Sequence, residues 1–512
     1  MLVEKIRVDL KPLGQAIEVE RGAALRDALF AWGVEFPCGG RGRCRRCRVR
    51  VLEGTLDPSA ADRQLLSEAE LRAGWRLACH AVASGPVTLE IAQMDAAILA
   101  DDSAFAFTPR EGLGIAVDLG TTTLVAQLLD LRTAHVLAVR TALNPQAAYG
   151  ADIMSRVQYA LAEGQGGLEG LIRARLGELV AEMAAGAPVA AVAIVGNAVM
   201  HHLFCGIDVE PLSHVPFESA SNGLERFRAS ELGWKLAGDP PVNFLPCLGG
   251  FVGSDILAGM LAARIGESDA LTGLIDLGTN GEILFGTRSR MVCASAAAGP
   301  AFEGGRISTG MRAATGAISE VAAVDGGFAC RVVGNAEPRG ICGSGLVDAA
   351  AAALDLGLIL PGGRLANGRT PIPLAGAVAL TQADIRELQL AKGAVAAGIR
   401  IVLNRLGASM EDVERVYLAG AFGNYVNRAS ARRIGLIGFP DSKIEQAGNT
   451  ALLGAKLALF REDNEFADLR ERVEHISLAS DPEFQEIYVE EMGFPNPPKP
   501  GTVYSIPDFR HG

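Results

Sequence analysis

The feature that most constrains the fold is a short motif that occurs twice in the sequence. DLGTTT covers residues 118–123, and DLGTNG covers residues 276–281. Each motif lies between two apolar runs of strand length and a third run follows, so each place predicts strand, tight turn, strand and strand. Amphipathic stretches of helical period lie between the two places. Self-similarity on this scale predicts two related α/β lobes and not a solenoid.

The two motifs consist of residue types that bind phosphate and Mg²⁺. A tight turn offers backbone N–H groups and hydroxyls to phosphate oxygens, and an aspartate at the strand end can hold a hydrated Mg²⁺. We predict Asp118 and Asp276 at the Mg²⁺ and the attacking water, with Glu282 either as a water-orienting group or as an exposed strand residue. The alternative is that both motifs are ordinary hairpin turns. The predicted phosphate-cradling residues are Gly120, Thr121, Thr122, Gly278, Thr279 and Asn280.

Two further glycine turns, in LAGAFGNYV and GICGSGLVDA, suit the adenosine face of a nucleotide. No GxxxxGK[ST] phosphate loop occurs in the sequence. The predicted adenosine-side residues are Gly343, Ser344, Gly345, Gly420, Gly423 and Asn424.

Other polar residues are weaker candidates. Asp255 starts a helix in GGFVGSDI, where a first-turn acid or a cap is the simpler interpretation. Asp152 and Asn197 are weaker still. The neighbours His201 and His202 diverge around a helix, which favours core or surface histidines over a metal site.

Four cysteines near the start of the chain form the second constraint. They have the spacing C-x5-C-x2-C-x31-C, and their loop is rich in glycine and arginine. Three thiolates in a compact loop and one distant thiolate are what a [2Fe–2S] cluster needs, while a zinc site or disulfides are the alternatives. The five-residue first gap resembles that of adrenodoxin-like ferredoxins. The predicted cluster ligands are Cys38, Cys44, Cys47 and Cys79.

These signals divide the chain into three parts. Residues 1–91 predict a small β-rich domain with a β-grasp, ferredoxin-like fold that holds the cluster. Residues 92–112 have no sustained period and predict a linker. Residues 113–512 predict the two-lobed α/β domain with a C-terminal extension.

Charge and hydropathy argue against several classes of partner. The net charge is −12, although six arginines lie within residues 41–50. An acidic chain with one arginine belt is a poor general nucleic-acid binder, so the belt is either a solvated loop or a surface that docks a partner or tunes the cluster. No apolar run has the roughly 18–20 residues of a membrane span. With no signal-peptide pattern either, we expect a cytoplasmic protein without membrane or nucleic-acid partners.

Residues 113–462, roughly, resemble the superfamily of actin, sugar kinases and heat-shock chaperone ATPases. The resemblance is carried by the two aspartate turns and by two further segments, AGAFGN and GNTALLGA. The resemblance implies an actin-like (ribonuclease H-like) ATPase domain, in which two duplicated lobes close over ATP. DLGTTT and DLGTNG are then similar to the first and second phosphate loops, and AGAFGN is similar to the adenosine motif.

The whole chain, with NPQAAYGADIMSR, VGNAVMHHLF and SAAAGPAFEGGRI, resembles the reductive activators of corrinoid proteins. This resemblance implies that one electron passes from the [2Fe–2S] cluster to Co(II) and regenerates Co(I), with ATP as the driving cofactor. The implied partners are the corrinoid protein of a methyl-transfer system and an electron donor, and a homodimer is a family-level expectation. The alternatives are an activator of another low-potential enzyme such as a dehydratase, a small-molecule kinase, and a non-catalytic electron carrier that binds ATP.

Overall fold

The structure is a computed structural model, and it describes most of the chain. The described residues are 4–11, 15–30, 34, 47–91, 103, 105–150, 152–219, 221–278, 280–324, 327–366, 368 and 370–496. Cys38, Cys44, Thr279 and the first four arginines of the belt lie outside the described residues, as does most of the predicted linker.

The first domain is a mixed sheet covered by a short helix. Its elements are β1 (Lys5–Lys11), β2 (Gln15–Glu20), α1 (Leu25–Phe30), β3 (Arg48–Gly54), α2 (Ala60–Leu65), α3 (Glu68–Arg72), β4 (Trp75–Leu77) and β5 (Val87–Glu90). In the described part, the strand order is β2-β1-β5-β3-β4, and β1 runs parallel to β5. Alternate residues of β1 are buried in one core with Leu25 and Leu29 of α1. This arrangement confirms the predicted β-grasp domain.

The first lobe begins with three antiparallel strands. The lobe contains β6 (Leu113–Leu119), β7 (Thr123–Asp130), β8 (Val136–Leu143), α4 (Ile153–Glu163), α5 (Gly166–Ala184), β9 (Val189–Gly196), α6 (Ala198–Cys205), β10 (Glu225–Arg228), β11 (Pro241–Phe244) and α7 (Ser254–Ala262). Its strands lie in the order β10-β11-β9-β6-β7-β8. Strand β9 is apolar along most of its length because it pairs in parallel with β6 on one side and β11 on the other.

The second lobe repeats this plan. It contains β12 (Thr272–Leu277), β13 (Gly281–Gly286), β14 (Met291–Ala296), β15 (Ala317–Val324), β16 (Gly327–Val332), β17 (Gly340–Ile341), α8 (Gly343–Asp355), β18 (Ile372–Ala375), β19 (Val378–Leu380), α9 (Gln382–Leu406), β20 (Arg415–Ala419), α10 (Gly420–Gly423), α11 (Arg428–Arg433), β21 (Ile444–Gln446), α12 (Thr450–Ala458), α13 (Asp463–Glu471), β22 (Val473–His475) and α14 (Phe484–Glu491). Its main sheet has the order β21-β20-β12-β13-β14-β22. In both lobes a three-strand meander is followed by a strand that lies parallel to the first one, which confirms the predicted duplication.

The two lobes share one hydrophobic core around α7 and α12. Ala116 and Val195 come from the first sheet, Leu274 and Leu284 come from the second, and all four are buried in the same cluster as the two helices. The helices approach each other so closely that a Cβ on Gly454 would lie 2.2 Å from the backbone oxygen of Ala258. The shared core therefore fixes the bases of the lobes together, and the sites lie where their strands end.

Candidate functional site

Four acidic side chains converge between the lobes. Asp118 ends β6, Asp276 lies on β12 and faces Glu282 on β13 in direct register, and Asp255 is in the first turn of α7. Glu282 is only 7% exposed, so the alternative of an exposed strand residue is wrong. Its position on the inner strand next to Asp276 brings it into the acidic group.

Burial raises the pKa of every member of this group, and repulsion from neighbouring carboxylates adds to the rise for Asp255, Asp276 and Glu282. Burial raises the pKa of Asp118 to about 6, and burial with the nearby Asp118 charge raises that of Asp276 to about 7. The pKa of Asp255 rises to about 8 through burial and then through the Asp276 charge. Burial, followed by the charges of Asp255 and Asp276, raises the pKa of Glu282 well above its ordinary value. Such a group favours a divalent cation that balances its charge.

The acids do not form a direct metal cage. Among the described residues, no three His, Cys, Asp or Glu side chains come together to hold one metal ion. Mg²⁺ usually keeps several waters and takes only one or two carboxylates together with substrate phosphates. The arrangement therefore fits a hydrated Mg²⁺ shared with a phosphate better than a metal bound by protein alone.

The first predicted phosphate turn is held from four sides. The Gly120 N–H donates to the Thr123 carbonyl at 3.2 Å, which closes the turn. Asn144 Nδ2 donates to Gly120 O at 2.9 Å, Arg156 donates to Thr121 O, and Asn197 Nδ2 donates to Thr121 Oγ1 at 2.8 Å. These contacts fix the turn before any ligand binds, as a phosphate site requires.

The second turn and the adenosine-side turn meet at Asp276. The Gly278 N–H donates to Asn280 O at 3.0 Å, and Gly420 lies directly against the aspartate. A Cβ on Gly420 would lie 2.3 Å from Asp276 Oδ1, and its φ of +79° also excludes most side chains. The expected glycine turn is thus a single helical turn, α10, whose first residue must be glycine.

Asn424 connects α10 to the start of α12. Its Nδ2 donates to Gly420 O at 2.8 Å and to Gly448 O at 3.0 Å, and its Oδ1 accepts from the Gly448 N–H at 2.8 Å. All of these partners are backbone groups. Asn424 therefore positions the adenosine-side backbone, and direct contact with a ligand stays a prediction.

The predicted glycine turn at Gly343–Gly345 is the first turn of α8 and is also tightly packed. A Cβ on Gly343 would lie 1.9 Å from Phe302 O, and one on Gly345 would lie 2.2 Å from Ile318 O. The Ser344 hydroxyl donates to Ser319 O at 2.8 Å. Close packing already explains why these two positions are glycine, and their predicted role toward adenosine stays a prediction.

A polar cavity of about 360 Å³ follows the adenosine-side turn. It lies between the loop after α10, the strand β21 and the helix α8. Asp348 of α8 lines it, is 2% exposed, and has a side-chain oxygen, Oδ1, without a hydrogen-bond partner. Tyr425, the next residue after Asn424, lies at its mouth with 52% of its surface exposed. The cavity thus offers an acceptor and an aromatic ring beside the glycine turn.

A second cavity of about 250 Å³ lies between the lobes next to Asn280. Its lining is mostly apolar and includes Phe217 and Phe251 of the first lobe and Leu478 of the second. Its polar lining residues are Asn280, Ser295, His475 and Ser477.

Two of the predicted cluster cysteines, Cys47 and Cys79, lie among the described residues at one end of the sheet of the first domain. Cys47 immediately precedes β3, Cys79 follows β4, and the two strands pair as neighbours, with Arg48 opposite Leu77. The Cys47 carbonyl accepts the Ala78 N–H at 2.8 Å, and both cysteines are buried. These residues fit the predicted cluster, and Cys38 and Cys44 lie outside the described residues.

The cysteine-bearing domain contacts both lobes. Arg339 of the second lobe pairs with Glu90 of β5 at 2.6 Å. Arg26 of α1 lies over the ring of Tyr149 of the first lobe, 6.0 Å from its centroid. The domain is therefore fixed to the two lobes by two separate contacts.

The ferredoxin-type domain and both lobes are similar to known proteins. Three family models match, described as a 2Fe-2S iron-sulfur cluster binding domain for residues 8–84, the RACo middle region for residues 113–268, and the C-terminal domain of RACo, the ASKHA domain, for residues 270–500. The corrinoid activation enzyme RamQ of Eubacterium limosum is 34% identical over 73% of this chain and 69% of its own. The chain belongs to the family of corrinoid-protein activators.

One further relative and one solved structure are similar to this activator over most of its length. The [Co(II) methylated amine-specific corrinoid protein] reductase of Methanosarcina barkeri is 29% identical over 74% of this chain and 77% of its own. The solved structure of a reductive activator for corrinoid, iron-sulfur protein has 26% identity and a TM-score of 0.65 and covers 96% of this chain and 98% of that one. The relationship thus includes the ferredoxin-type domain and both lobes.

Of the weaker site candidates in this activator, Asn197 contacts the first phosphate turn, whereas Asp152 is a helix cap and the two histidines lie in the core. Asp152 caps α4 by accepting the Ser155 N–H at 2.8 Å, whereas Asn197 caps α6 and also holds Thr121. His202 contacts Ala198 O and Ser219, and His201 packs against Phe244. Both histidines are fully buried, which confirms core histidines over a metal site.

Sequence analysis missed three residues of this site. Asn144 and Arg156 hold the first turn, and Asn449 Nδ2 donates to Asp118 Oδ2 at 3.0 Å. The segment NPQAAYGADIMSR contains the first two, so the motif that carries the family resemblance could have located them. Asn449 lies in GNTALLGA, one of the segments that resemble the superfamily of actin, sugar kinases and heat-shock chaperone ATPases.

Among the described residues, no helix has the length and apolarity needed to cross a membrane.

Proposed function

We propose that this chain is an ATP-dependent reductase that returns the Co(II) corrinoid of a partner protein to Co(I). The observation that carries the proposal is the joining of two sites in one chain. A ferredoxin-type domain with buried cysteines contacts both lobes of a cleft that presents two phosphate-type turns and four acids. The names of the activation enzyme and the reductase among its relatives support the same function.

The first site would hold a [2Fe–2S] cluster through Cys47 and Cys79, together with Cys38 and Cys44. Such a cluster accepts and releases one electron at a time. The chain buries both described ligands at the end of the β3–β4 pair, which limits the access of water to the ligands. An external donor protein or reagent would supply the electron.

The second site would bind MgATP. Asp118 and Asp276 would hold a hydrated Mg²⁺, and Glu282 would orient the attacking water, with Asp255 beside them. The N–H groups of the two turns would receive the phosphates. The cavity of Asp348 and Tyr425 would receive the adenosine end, because it follows the turn that lies against Asp276.

ATP is needed because the electron transfer is uphill. A plant-type [2Fe–2S] centre lies near roughly −400 mV, and Co(I) is harder to form than that centre is to reduce. For one electron, a difference of about 59 mV between the two reduction potentials changes the equilibrium constant of the transfer tenfold, or by about 1.4 kcal/mol. Coupling free energies of about 1–3 kcal/mol are ordinary between two states of a protein. Closure of the lobes over nucleotide could therefore offset a difference in reduction potential of roughly 40–130 mV between the cluster and the corrinoid.

The partner is proposed to be the corrinoid protein of a methyl-transfer system. The relatives described above favour this partner over a dehydratase. The same relatives favour this function over a small-molecule kinase. A homodimer remains a family-level expectation, which size-exclusion chromatography with light scattering would test.

The decisive experiment mixes reduced protein, MgATP and a Co(II) corrinoid protein and follows the Co(I) absorption band. Parallel samples omit ATP, replace it with a non-hydrolysable analogue, or use a Cys79→Ser variant. We expect Co(I) only with ATP and intact cysteines. Equal Co(I) formation without ATP would contradict ATP coupling, and ATP binding without any turnover would favour the non-catalytic electron carrier.

A further inference from the structure

We infer that Arg312 is a catalytic residue, the cation that the second lobe contributes to the terminal phosphate of the nucleotide. Arg312 lies between β14 and β15, and its Nη2 donates to Thr122 Oγ1 at 3.2 Å. Thr122 belongs to the first phosphate turn, so the arginine side chain crosses the cleft from one lobe to the other. This inference rests on the proposed function and assigns one further residue to it.

The guanidinium lies at the turn that is built to receive phosphate. The hydroxyl that it contacts is two residues after Gly120, whose N–H closes the turn. A threonine hydroxyl is a neutral acceptor, whereas a phosphate oxygen is charged and binds arginine more strongly, often through two parallel hydrogen bonds. A phosphate seated on the turn would therefore compete well for the same guanidinium.

A second arginine lies at this end of the cleft. Arg156 is fully buried on α4, and besides Thr121 O it donates to Gly150 O at 2.9 Å. Burial lowers the pKa of Arg156 to about 9, while Asp152 and Glu303 favour its protonation and Arg312 opposes it. The two arginines contact neighbouring residues of the first turn, Thr121 and Thr122, so an anion seated on that turn would lie close to both.

The two arginines lie beside the acidic group. Asp118, the next-to-last residue of β6, precedes the same turn whose later residues contact Arg156 and Arg312. A terminal phosphate on the turn would have Mg²⁺ and carboxylates at one end of the turn and a guanidinium at the other. This geometry matches phosphoryl transfer, in which charge on the equatorial oxygens is stabilised by a metal and an arginine.

The reaction that Arg312 would assist is the hydrolysis of ATP. The water oxygen bonds to the γ-phosphorus while the bond from that phosphorus to the bridging oxygen of ADP breaks, and one water proton is released. Arg312 would stabilise the charge of the transferring group without accepting or giving a proton. Because it comes from the opposite lobe, it would act only when the lobes are close together.

The test compares Arg312→Ala and Arg312→Lys with the wild type in steady-state ATP hydrolysis. Arg306→Ala is the matched control, since Arg306 belongs to the same segment but is 70% exposed at its side chain and lies 3.9 Å from Glu387. We expect kcat to fall by about 10²–10³-fold in Arg312→Ala, as for other lost transition-state donors, with ADP affinity within about threefold of wild type. The control should keep the wild-type rate.

Two readouts separate catalysis from a structural role. Arg312→Ala should lose the extra affinity for ADP with aluminium fluoride over ADP alone, and added guanidinium ion should restore part of its rate. Wild-type turnover in Arg312→Ala, or an equal loss of affinity for ADP and for its fluoride complex, would overturn the inference. A wild-type protein that hydrolyses no ATP would instead contradict the proposed function itself.

Discussion

Asn449 holds Asp118 and caps α12 with the two ends of one side chain. Its Nδ2 donates to Asp118 Oδ2 at 3.0 Å, while its Oδ1 accepts the Leu452 N–H at 2.9 Å. The first bond stabilises the carboxylate and lowers the pKa of Asp118, opposing the rise caused by burial. Asn449 thus joins Asp118 of the first turn to α12, one of the two helices of the shared core.

Replacing Asn449 should separate these two roles. Asn449→Ser keeps a capping oxygen but is too short to reach Asp118, so we expect MgATP turnover to fall about tenfold or more, as for loss of a hydrogen bond to a charged group. Its melting temperature should stay near that of wild type. Asn449→Ala should lose the cap as well, at about 1 kcal/mol of stability. Turnover assays and thermal unfolding measure both effects, and wild-type turnover in Asn449→Ser would contradict the role toward Asp118.

Asp276→Asn should remove ATP hydrolysis and stabilise the protein in the absence of Mg²⁺. The asparagine cannot balance a cation, so turnover should fall at least about 100-fold. It also removes one charge from a repulsive buried group, so the melting temperature without Mg²⁺ at pH 8 should rise. Glu445→Gln, in an exposed pair with Arg415, is the control and should change neither quantity. Full activity in Asp276→Asn would exclude this residue from the site.

Asp348 should make the stability of the nucleotide-free protein depend on pH. Burial raises the pKa of Asp348 to about 6 from its model-compound value of 3.8. The folded state therefore retains a proton that the unfolded state has lost, and this stabilisation is complete below about pH 4 and is lost as the pH rises through 6. Asp348→Asn should flatten the decrease in melting temperature between pH 4 and 7. Parallel pH profiles for the variant and the wild type would contradict this.

Cys79→Ser should remove the cluster without removing nucleotide binding. Cys79 lies at the end of the β3–β4 pair in the ferredoxin-type domain, and both phosphate turns lie in the two lobes. ATP affinity should therefore stay within about twofold of wild type. Iron content and the visible absorption should fall together. Cys330→Ser, at a half-buried cysteine of β16, is the control and should keep full iron. Loss of ATP binding in Cys79→Ser would show that the two sites are not separable.

Arg339→Ala should weaken the coupling between the sites and leave each site intact. The Arg339–Glu90 pair is partly exposed, so its loss should cost less than about 1 kcal/mol of stability. ATPase activity should stay near wild type, while ATP-dependent formation of Co(I) should slow. Arg290→Ala, in a partly exposed pair with Glu474 of the same lobe, is the control. Equal rates of Co(I) formation in the two variants would contradict a role for the Arg339 contact.

The fold was predictable where the pattern is local and repeated. Each DLGT turn with its flanking apolar runs predicted a meander, and the structure places β6–β8 and β12–β14 in the same order. Strands β10 and β11 were not predicted, because Glu225–Arg228 and Pro241–Phe244 are short and lie in a polar stretch. Their pairing with β9 extends the first sheet, and such pairing depends on distant residues.

The sequence predicted the aspartates of the two turns, but it did not predict most of the residues that hold these turns in place. Asp118 and Asp276 follow from the motif, whereas the simpler interpretation of Asp255 was a helix cap, since nothing near it in the sequence shows that α7 points at the other acids. The exposed alternative for Glu282 failed because strand β13 lies inside the second sheet and not at its edge. Arg156 lies in the segment NPQAAYGADIMSR that carries the family resemblance, whereas Arg312 and Asn449 act over long sequence separations, which no local pattern records.

The attachment of the ferredoxin-type domain to both lobes has a geometric consequence. Arg26 reaches Tyr149 on one lobe, and Glu90 reaches Arg339 on the other. If the lobes close over nucleotide as proposed, the small domain must tilt or give up one of these contacts. Distance labels on the small domain and on the two lobes would then follow the nucleotide state of the cleft.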